Sequence, residues 1–325
     1  MLLDALLLIL GFVLLAKGAD SLVDGAATLA TKLGIDPWVV GLTVVAWGTS
    51  LPEVVISSLA AYEGSPGAAL GNVLGSNVAN AGLVLGTVGL ILPRALEGRL
   101  SLRESVPLIL SLAGLYFVLR DGMVTRIEAL VLLVVFFVYT AELILIRGRG
   151  DESMATELDH TETHAKYPLV RVLLGSVAIA VAAKFFVLDS AFRIADALGL
   201  REGFVGLVIL ALGTSLPELA AGVVSARRGH AEIGLGNIVG SNVFNTLAVI
   251  GVSAAITPFG VPGADQEGWD VALEEAMHRD LPVNFVFALA LVVGPSLARG
   301  RGARRRAAAL LLGWVAYVVW VGAAA

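Results

Sequence analysis

The chain of 325 residues contains no cysteine, which excludes disulfide frameworks, thiolate metal centres and thiol nucleophiles. Charge is scarce too: Asp, Glu, Lys and Arg make up 15% of the residues, against about 25% in a soluble domain. There are four histidines and no HExxH-type spacing, so a zinc-hydrolase ligand set is lacking. The basic residues are scattered, apart from Arg304 to Arg306, and offer no nucleic-acid surface. The net charge of −5 sits at the ends of apolar runs rather than in one patch.

What remains is hydrophobic. Apolar residues make up 57% of the chain and the mean hydropathy is +0.87. Apolar runs of about 20 residues recur along the whole length, the mark of a polytopic membrane protein. The first 16 residues carry Asp4 and no early Lys or Arg. They read as a first span rather than a signal peptide. Ten spans are expected, at roughly 2–31, 38–61, 67–91, 102–119, 125–146, 168–198, 203–226, 232–256, 282–298 and 306–322. The polar segment 147–167 reads as a solvated linker between residues 1–146 and 168–325. His160 and His164, near Asp159 and Glu162, belong to that tether on this reading and not to a metal site.

Loops after odd-numbered spans hold about 15 Lys and Arg and loops after even-numbered spans about four. The odd loops and the linker are therefore expected in the cytoplasm and both termini outside. The acidic segment Asp265 to Asp280 then faces out as a short surface helix. Asp20 and Asp24 share a face of the first span near Lys17. They read as the polar end of a long tilted helix, with a cavity mouth or a Lys17 pair as alternatives.

The chain repeats itself. Residues 41–86 and 206–251 align without a gap at an offset of 165, with 21 of 46 positions identical. Each copy carries GTSLPE (Gly48 to Glu53, Gly213 to Glu218), followed by GNVLGSNVAN (Gly71 to Asn80) or GNIVGSNVFN (Gly236 to Asn245). Five spans separate equivalent positions, so the second copy crosses the membrane in the opposite sense. The expected fold is all-α, with ten transmembrane helices in two inverted-topology five-helix repeats, which places Glu53 and Glu218 together at the midplane.

These residue types suit a hard cation. Pro52 and Pro217 lack the N–H that would close a helical turn, so each helix breaks and loosens carbonyls near Ala46 and Ala211. Inside a membrane a broken helix survives only where it lines protein or a wet cavity. Thr49 and Glu53 lie four apart on one face, as do Thr214 and Glu218, Ser76 and Asn80, and Ser241 and Asn245. All the donors are oxygens, as a calcium-type shell of six to eight ligands at about 2.3–2.6 Å requires. A carboxylate at mid-membrane costs roughly 2.5–3.5 kcal/mol, and two without a matching Lys or Arg call for a mobile cation. Gly71, Gly75, Gly236 and Gly240 are expected to let the helices approach.

The two motif pairs resemble the α-repeats of the sodium/calcium exchanger superfamily, nearest to its prokaryotic Na⁺/Ca²⁺ antiporters. The resemblance implies a secondary antiporter, not an enzyme, with Ca²⁺ and Na⁺ as transported ions, no cofactor, and a home in a prokaryotic inner membrane. It implies that Glu53 and Glu218 hold Ca²⁺ with backbone oxygens of Thr49 and Thr214. Flanking Na⁺ sites would use the Ala46 carbonyl, Thr49, Glu53 and Ser76, and in mirror image the Ala211 carbonyl, Thr214, Glu218 and Ser241. Asn80 and Asn245 would line the centre, with Ser50 and Ser215 beside it. The first and sixth helices would form a sliding gate. Relatives often carry Asp where this chain has Asn245, which leaves H⁺ or K⁺ coupling as the alternative and the Na⁺ count open. Partners beyond these ions and the lipid bilayer are not implied, and a monomer is the working expectation. An ion channel is disfavoured, because a single central site lacks the file of sites a filter needs.

Overall fold

The computed structural model describes residues 2–93, 102–147, 166–198, 213–261, 266, 268–297 and 301–324. Among them the chain is helical, with one isolated antiparallel bridge between Val124 and Phe259. In chain order the helices are α1 (Leu2–Leu33), α2 (Pro37–Thr49), α3 (Leu51–Tyr62), α4 (Pro66–Ile91), α5 (Leu102–Leu119), α6 (Arg126–Arg147), α7 (Pro168–Ala197), α8 (Leu216–Arg227), α9 (Ala231–Ile256), α10 (Trp269–Val293) and α11 (Arg301–Ala324).

Seven of these helices are long and apolar enough to cross a membrane by themselves, and α2 with α3 makes an eighth across a 46° bend. The shorter apolar α5 matches the expected fourth span. Helix α8 is the described part of the expected span 203–226, whose first half lies outside the described residues, as does nearly all of the segment 147–167. The protein is thus an all-α polytopic membrane protein, and its helices fit two inverted five-helix repeats.

The repeat extends to element boundaries. Helices α3 and α8 begin at Leu51 and Leu216, and end at Tyr62 and Arg227. A widened π turn begins at Asn80 in α4 and at Asn245 in α9, ending at Val84 and Val249. Gly64 and Gly229 take the same left-handed turn, with φ of 83° and 80°. Only glycine adopts that conformation without strain, and each one here ends a helix just before the next begins.

Packing follows from residue size. Helix α1 runs antiparallel to α7, and Gly18 and Gly175 meet at the crossing. A Cβ on Gly175 would lie 2.6 Å from the Leu22 backbone nitrogen, so the two backbones touch as only small residues permit. Ion pairs tie this pair near both ends: Arg193 to Asp4 at 2.6 Å, and Arg171 to Asp24 at 2.6 Å. Gly236 and Gly240 bring α9 against the backbone of Trp38 and Leu42 in α2. The partner of Gly71 and Gly75 expected by symmetry, near 203–207, lies outside the described residues. Leu2, Leu6, Ile9 and Val13 of α1 and Val131, Val134 and Val138 of α6 are exposed, an outward apolar surface that suits hydrocarbon rather than water.

Two expectations need correction. The segment before residue 282 is not a separate surface helix: Trp269 to Val293 is one continuous helix with a π turn at Ala276–Asp280. Asp270, Glu274, Glu275 and His278 are exposed, and the segment turns inward at its end. Asp280 is buried, accepts from Arg279 Nε at 2.7 Å and from the Tyr317 hydroxyl at 3.0 Å, and Asn284 donates to the Leu74 carbonyl at 3.1 Å. Asp20 and Asp24 are more than the polar end of a tilted helix, and of the alternatives the Lys17 pair is replaced by partners far along the chain. Arg228 pairs with both, and Arg171 with Asp24.

Candidate functional site

The helix breaks lie where the prolines place them. Ser50 and Ser215 occupy the bridge region of backbone space, with φ,ψ of −90°,10° and −87°,0°. Each is followed by Leu-Pro-Glu at the start of α3 or α8, which sets Glu53 and Glu218 in the first turn of the new helix. A carboxylate there gains from the positive end of the helix dipole.

Thr49, Ser50, Glu53, Ser76, Asn80, Thr214, Ser215, Glu218, Ser241 and Asn245 are all 0% exposed, as is Ala46. Ala211 lies outside the described residues. The side chains meet across the two halves. The Ser50 hydroxyl donates to Glu218 Oε1 at 2.9 Å and lies 3.0 Å from Ser241 Oγ, which is itself 3.5 Å from Glu218 Oε1. Ser76 and Thr214 share a hydrogen bond at 3.0 Å. Glu53 and Glu218 are near enough to act on each other electrostatically.

The resemblance groups Ser76 with Thr49, within one half. The structure instead bonds Ser76 to Thr214 and brings Ser241 to Ser50. Interlocked inverted halves impose this, because the α4 or α9 of one half lies against the helix break of the other. The Ala46 carbonyl accepts the Ser50 amide at 3.0 Å and faces the Thr49 hydroxyl at 3.4 Å.

Several buried oxygens in this cluster have no hydrogen-bond partner among the described residues: both carboxylate oxygens of Glu53, Glu218 Oε2, Ser215 Oγ, Asn80 Oδ1 and Asn245 Oδ1. Leaving a buried polar group unmet costs about 1–3 kcal/mol, more when it is charged. Unmet acceptors on both halves, converging with no Lys or Arg among them, fit a hard cation as their missing partner. Among the described residues no three His, Cys, Asp or Glu side chains come together. Any ion held here rests on two carboxylates and neutral oxygens.

Four more polar residues, Asn77, Asn237, Asn242 and Thr246, belong to the cluster and were not singled out from the sequence. Asn237 accepts from the Thr49 hydroxyl at 3.1 Å. Asn80 donates to Asn242 at 3.1 Å, Asn242 to the Asn77 carbonyl at 3.2 Å, and Asn77 to Thr246 at 2.9 Å. Asn72, the repeat-related partner of Asn237, is not joined to them and donates to Ser57 at 2.9 Å instead. The available signal was identity between copies: Asn72 and Asn237, and Asn77 and Asn242, recur at the offset of 165.

A buried oxygen cluster between two inverted halves, flanked by a tightly packed antiparallel helix pair, defines a membrane transporter of small cations. The sequence matches the family model for sodium/calcium exchanger protein over residues 3–145 and 167–323, and the chain belongs to that family. It is 35% identical over 329 residues to the inner membrane protein YrbG of Escherichia coli (strain K12), covering 99% of this chain and 98% of that one. It is 31% identical to the sodium/calcium exchanger MaX1 of Methanosarcina acetivorans, covering 79% of this chain and 84% of that one. The fold is similar to the sodium-calcium exchanger NCX_Mj soaked with 2.5 mM Na⁺ and 0.1 mM Sr²⁺, with a TM-score of 0.77, 26% identity and 98% of each chain covered. Family membership makes the protein a cation/Ca²⁺ antiporter embedded in a membrane.

Proposed function

We propose that the protein exchanges Ca²⁺ for Na⁺ by alternating access around a midplane site built on Glu53 and Glu218. The observation that carries this reading is the set of partnerless buried oxygens contributed by both halves. Thr49, Thr214, Ser76, Ser241, Asn80, Asn245, Ser50, Ser215 and the carbonyls of Ala46 and Ala211 complete the donor set. Two carboxylates carry a formal charge of −2, which one Ca²⁺ or two Na⁺ neutralise. A third Na⁺ leaves one positive charge and makes transport electrogenic.

Exchange follows from charge. The bare −2 cluster is too costly to carry between faces in a low-dielectric interior. Only a compensated core lets α1 and α7 slide past it, so one ion leaves only as the other enters. Residues 1–146 and 168–325 act as the two half-molecules and 147–167 as a cytoplasmic linker. The bias of Lys and Arg puts both termini outside, and the likeness to an inner membrane protein supports an inner-membrane location.

The test is Ca²⁺ uptake by the purified chain in proteoliposomes under imposed Na⁺, K⁺ or H⁺ gradients, with the membrane potential clamped. Uptake driven by outward-directed Na⁺ alone is expected. Uptake driven by a pH step without Na⁺ replaces the reading with Ca²⁺/H⁺ exchange, an absolute K⁺ requirement replaces it with K⁺-coupled exchange, and conduction without any counter-ion overturns antiport.

A further inference from the structure

The two halves of the site are related by the repeat, yet their hydrogen bonds are not. Around Glu218, Asn237 takes the Thr49 hydroxyl at 3.1 Å and lies 3.5 Å from Ser241 Oγ, while Ser50 bonds Glu218 and Ser241. Subtracting or adding 165 gives the mirror set: Asn72, Thr214, Ser76, Ser215 and Glu53. There the Ser76–Thr214 bond exists, but both Glu53 oxygens, Ser215 Oγ and Asn72 Oδ1 lack hydrogen-bond partners among the described residues, against Glu218 Oε2 and Asn237 Nδ2 in the first set.

One sequence difference accounts for the amides. Asn72 donates to Ser57 Oγ at 2.9 Å, and Ser57 faces the Ala69 carbonyl at 3.4 Å. The mirror positions are Gly222 and Gly234, and these two glycines also pack together. In the first half a hydroxyl thus holds the amide away from the site. In the second half glycine offers no hydroxyl: Asn237 Nδ2 has no hydrogen-bond partner among the described residues, and Oδ1 accepts from the opposite half's threonine. The Thr49 hydrogen points to Asn237 at 3.1 Å with the Ala46 carbonyl further off at 3.4 Å, so both of its lone pairs remain for a cation.

We propose that Asn237 is a positioning residue that orients the Thr49 and Ser241 hydroxyls, and that the Ser57/Gly222 difference makes the two lobes of the site unequal in cation affinity. The lobe with Thr49, Ser241 and Glu218 is preorganised for a cation, and the lobe with Thr214, Ser76 and Glu53 is not. This rests on the ion-binding reading above.

The experiment measures Na⁺- and Ca²⁺-dependent thermal stabilisation of the full chain in detergent, together with half-saturation and maximal rate of exchange. Asn237→Ala is expected to raise the half-saturating cation concentration about three- to tenfold, the equivalent of one neutral hydrogen bond, with the maximal rate retained. Asn237→Asp keeps the acceptor oxygen and is expected to hold half-saturation at or below the wild-type value. Asn72→Ala is expected to stay within about twofold of wild type, since its amide bonds Ser57 outside the site. Gly222→Ser supplies the missing hydroxyl, draws Asn237 off Thr49 and is expected to mimic Asn237→Ala. Its added Cβ meets Val88 at 3.0 Å, so that neighbour must yield slightly. Equal shifts from Asn237→Ala and Asn72→Ala, or no shift from Asn237→Ala and Gly222→Ser, overturn the proposal while leaving ion binding intact. If wild type shows no stabilisation by either ion, the ion-binding reading fails and the proposal with it. Should Asn237→Ala fail to fold, Gly222→Ser with Asn72→Ala decides the matter.

Discussion

Ser50, at the break in the first half, donates its hydroxyl to Glu218, which begins the new helix in the second half, at 2.9 Å. The repeat-related bond, from Ser215 to Glu53, is not made, and Ser215 Oγ has no hydrogen-bond partner among the described residues although it is fully buried. One substitution therefore removes a bond that its mirror image lacks. In a buffer containing a cation chelator, Ser50→Ala is expected to lower stability by about 1–3 kcal/mol, and Ser215→Ala by less than about 0.5 kcal/mol. Thermal unfolding of both variants in one detergent measures the difference. Equal losses would mean that the two breaks are equivalent.

Arg228 follows the core helix α8, yet its partners are Asp20 and Asp24 on α1. Arg171 of α7 holds the other oxygen of Asp24 at 2.6 Å. This ties the α1–α7 pair to the core at one end. Asp24 is buried and keeps Arg171 when Arg228 is lost, so Arg228→Ala is expected to cost about 1–3 kcal/mol. Lys184→Ala, which breaks a more exposed pair with Asp189, is expected to cost less than about 0.5 kcal/mol. The melting temperatures of the two variants check this ordering.

His230 sits in the turn between α8 and α9, buried beside Arg228. Burial first and the Arg228 charge second hold its imidazole below the ordinary value of 6.5, with Asp24 pulling the other way. The folded protein thus prefers the neutral ring, and below about pH 6.5 the unfolded chain takes up this proton more readily. Stability is expected to be flat above that pH and to fall as acid is added through the folded-state value. His230→Gln, which does not titrate, is expected to lessen the loss in melting temperature between pH 7 and pH 5. A pH profile unchanged by the substitution would contradict the assignment.

The repeat made much of this architecture legible. Pro52 and Pro217 mark the helix breaks, and the constant offset pairs Glu53 with Glu218. Three features were hidden, each for a physical reason. Asn237 looks like any polar residue on an apolar helix, and its role appears only when Gly222 is set against Ser57, a difference that matters through packing. The crossing of Ser76 to Thr214 depends on how the halves interlock, which hydropathy does not record. Asp280, at the end of the polar segment of α10, looked like surface, because the residues that bury it include Tyr317, on the next helix. The partners of Asp24 were missed in the same way: Lys17 is near in sequence, whereas Arg171 and Arg228 are near in space.

The most direct measurement is radioactive Ca²⁺ uptake into Na⁺-loaded proteoliposomes by wild type, Glu53→Gln and Glu218→Gln. Each amide keeps the shape of the side chain and removes one of two charges. Uptake is expected to fall to the background of protein-free vesicles in both variants, with retention volume and helical content unchanged. Uptake at the wild-type rate by either variant would contradict a cation site shared between the two glutamates.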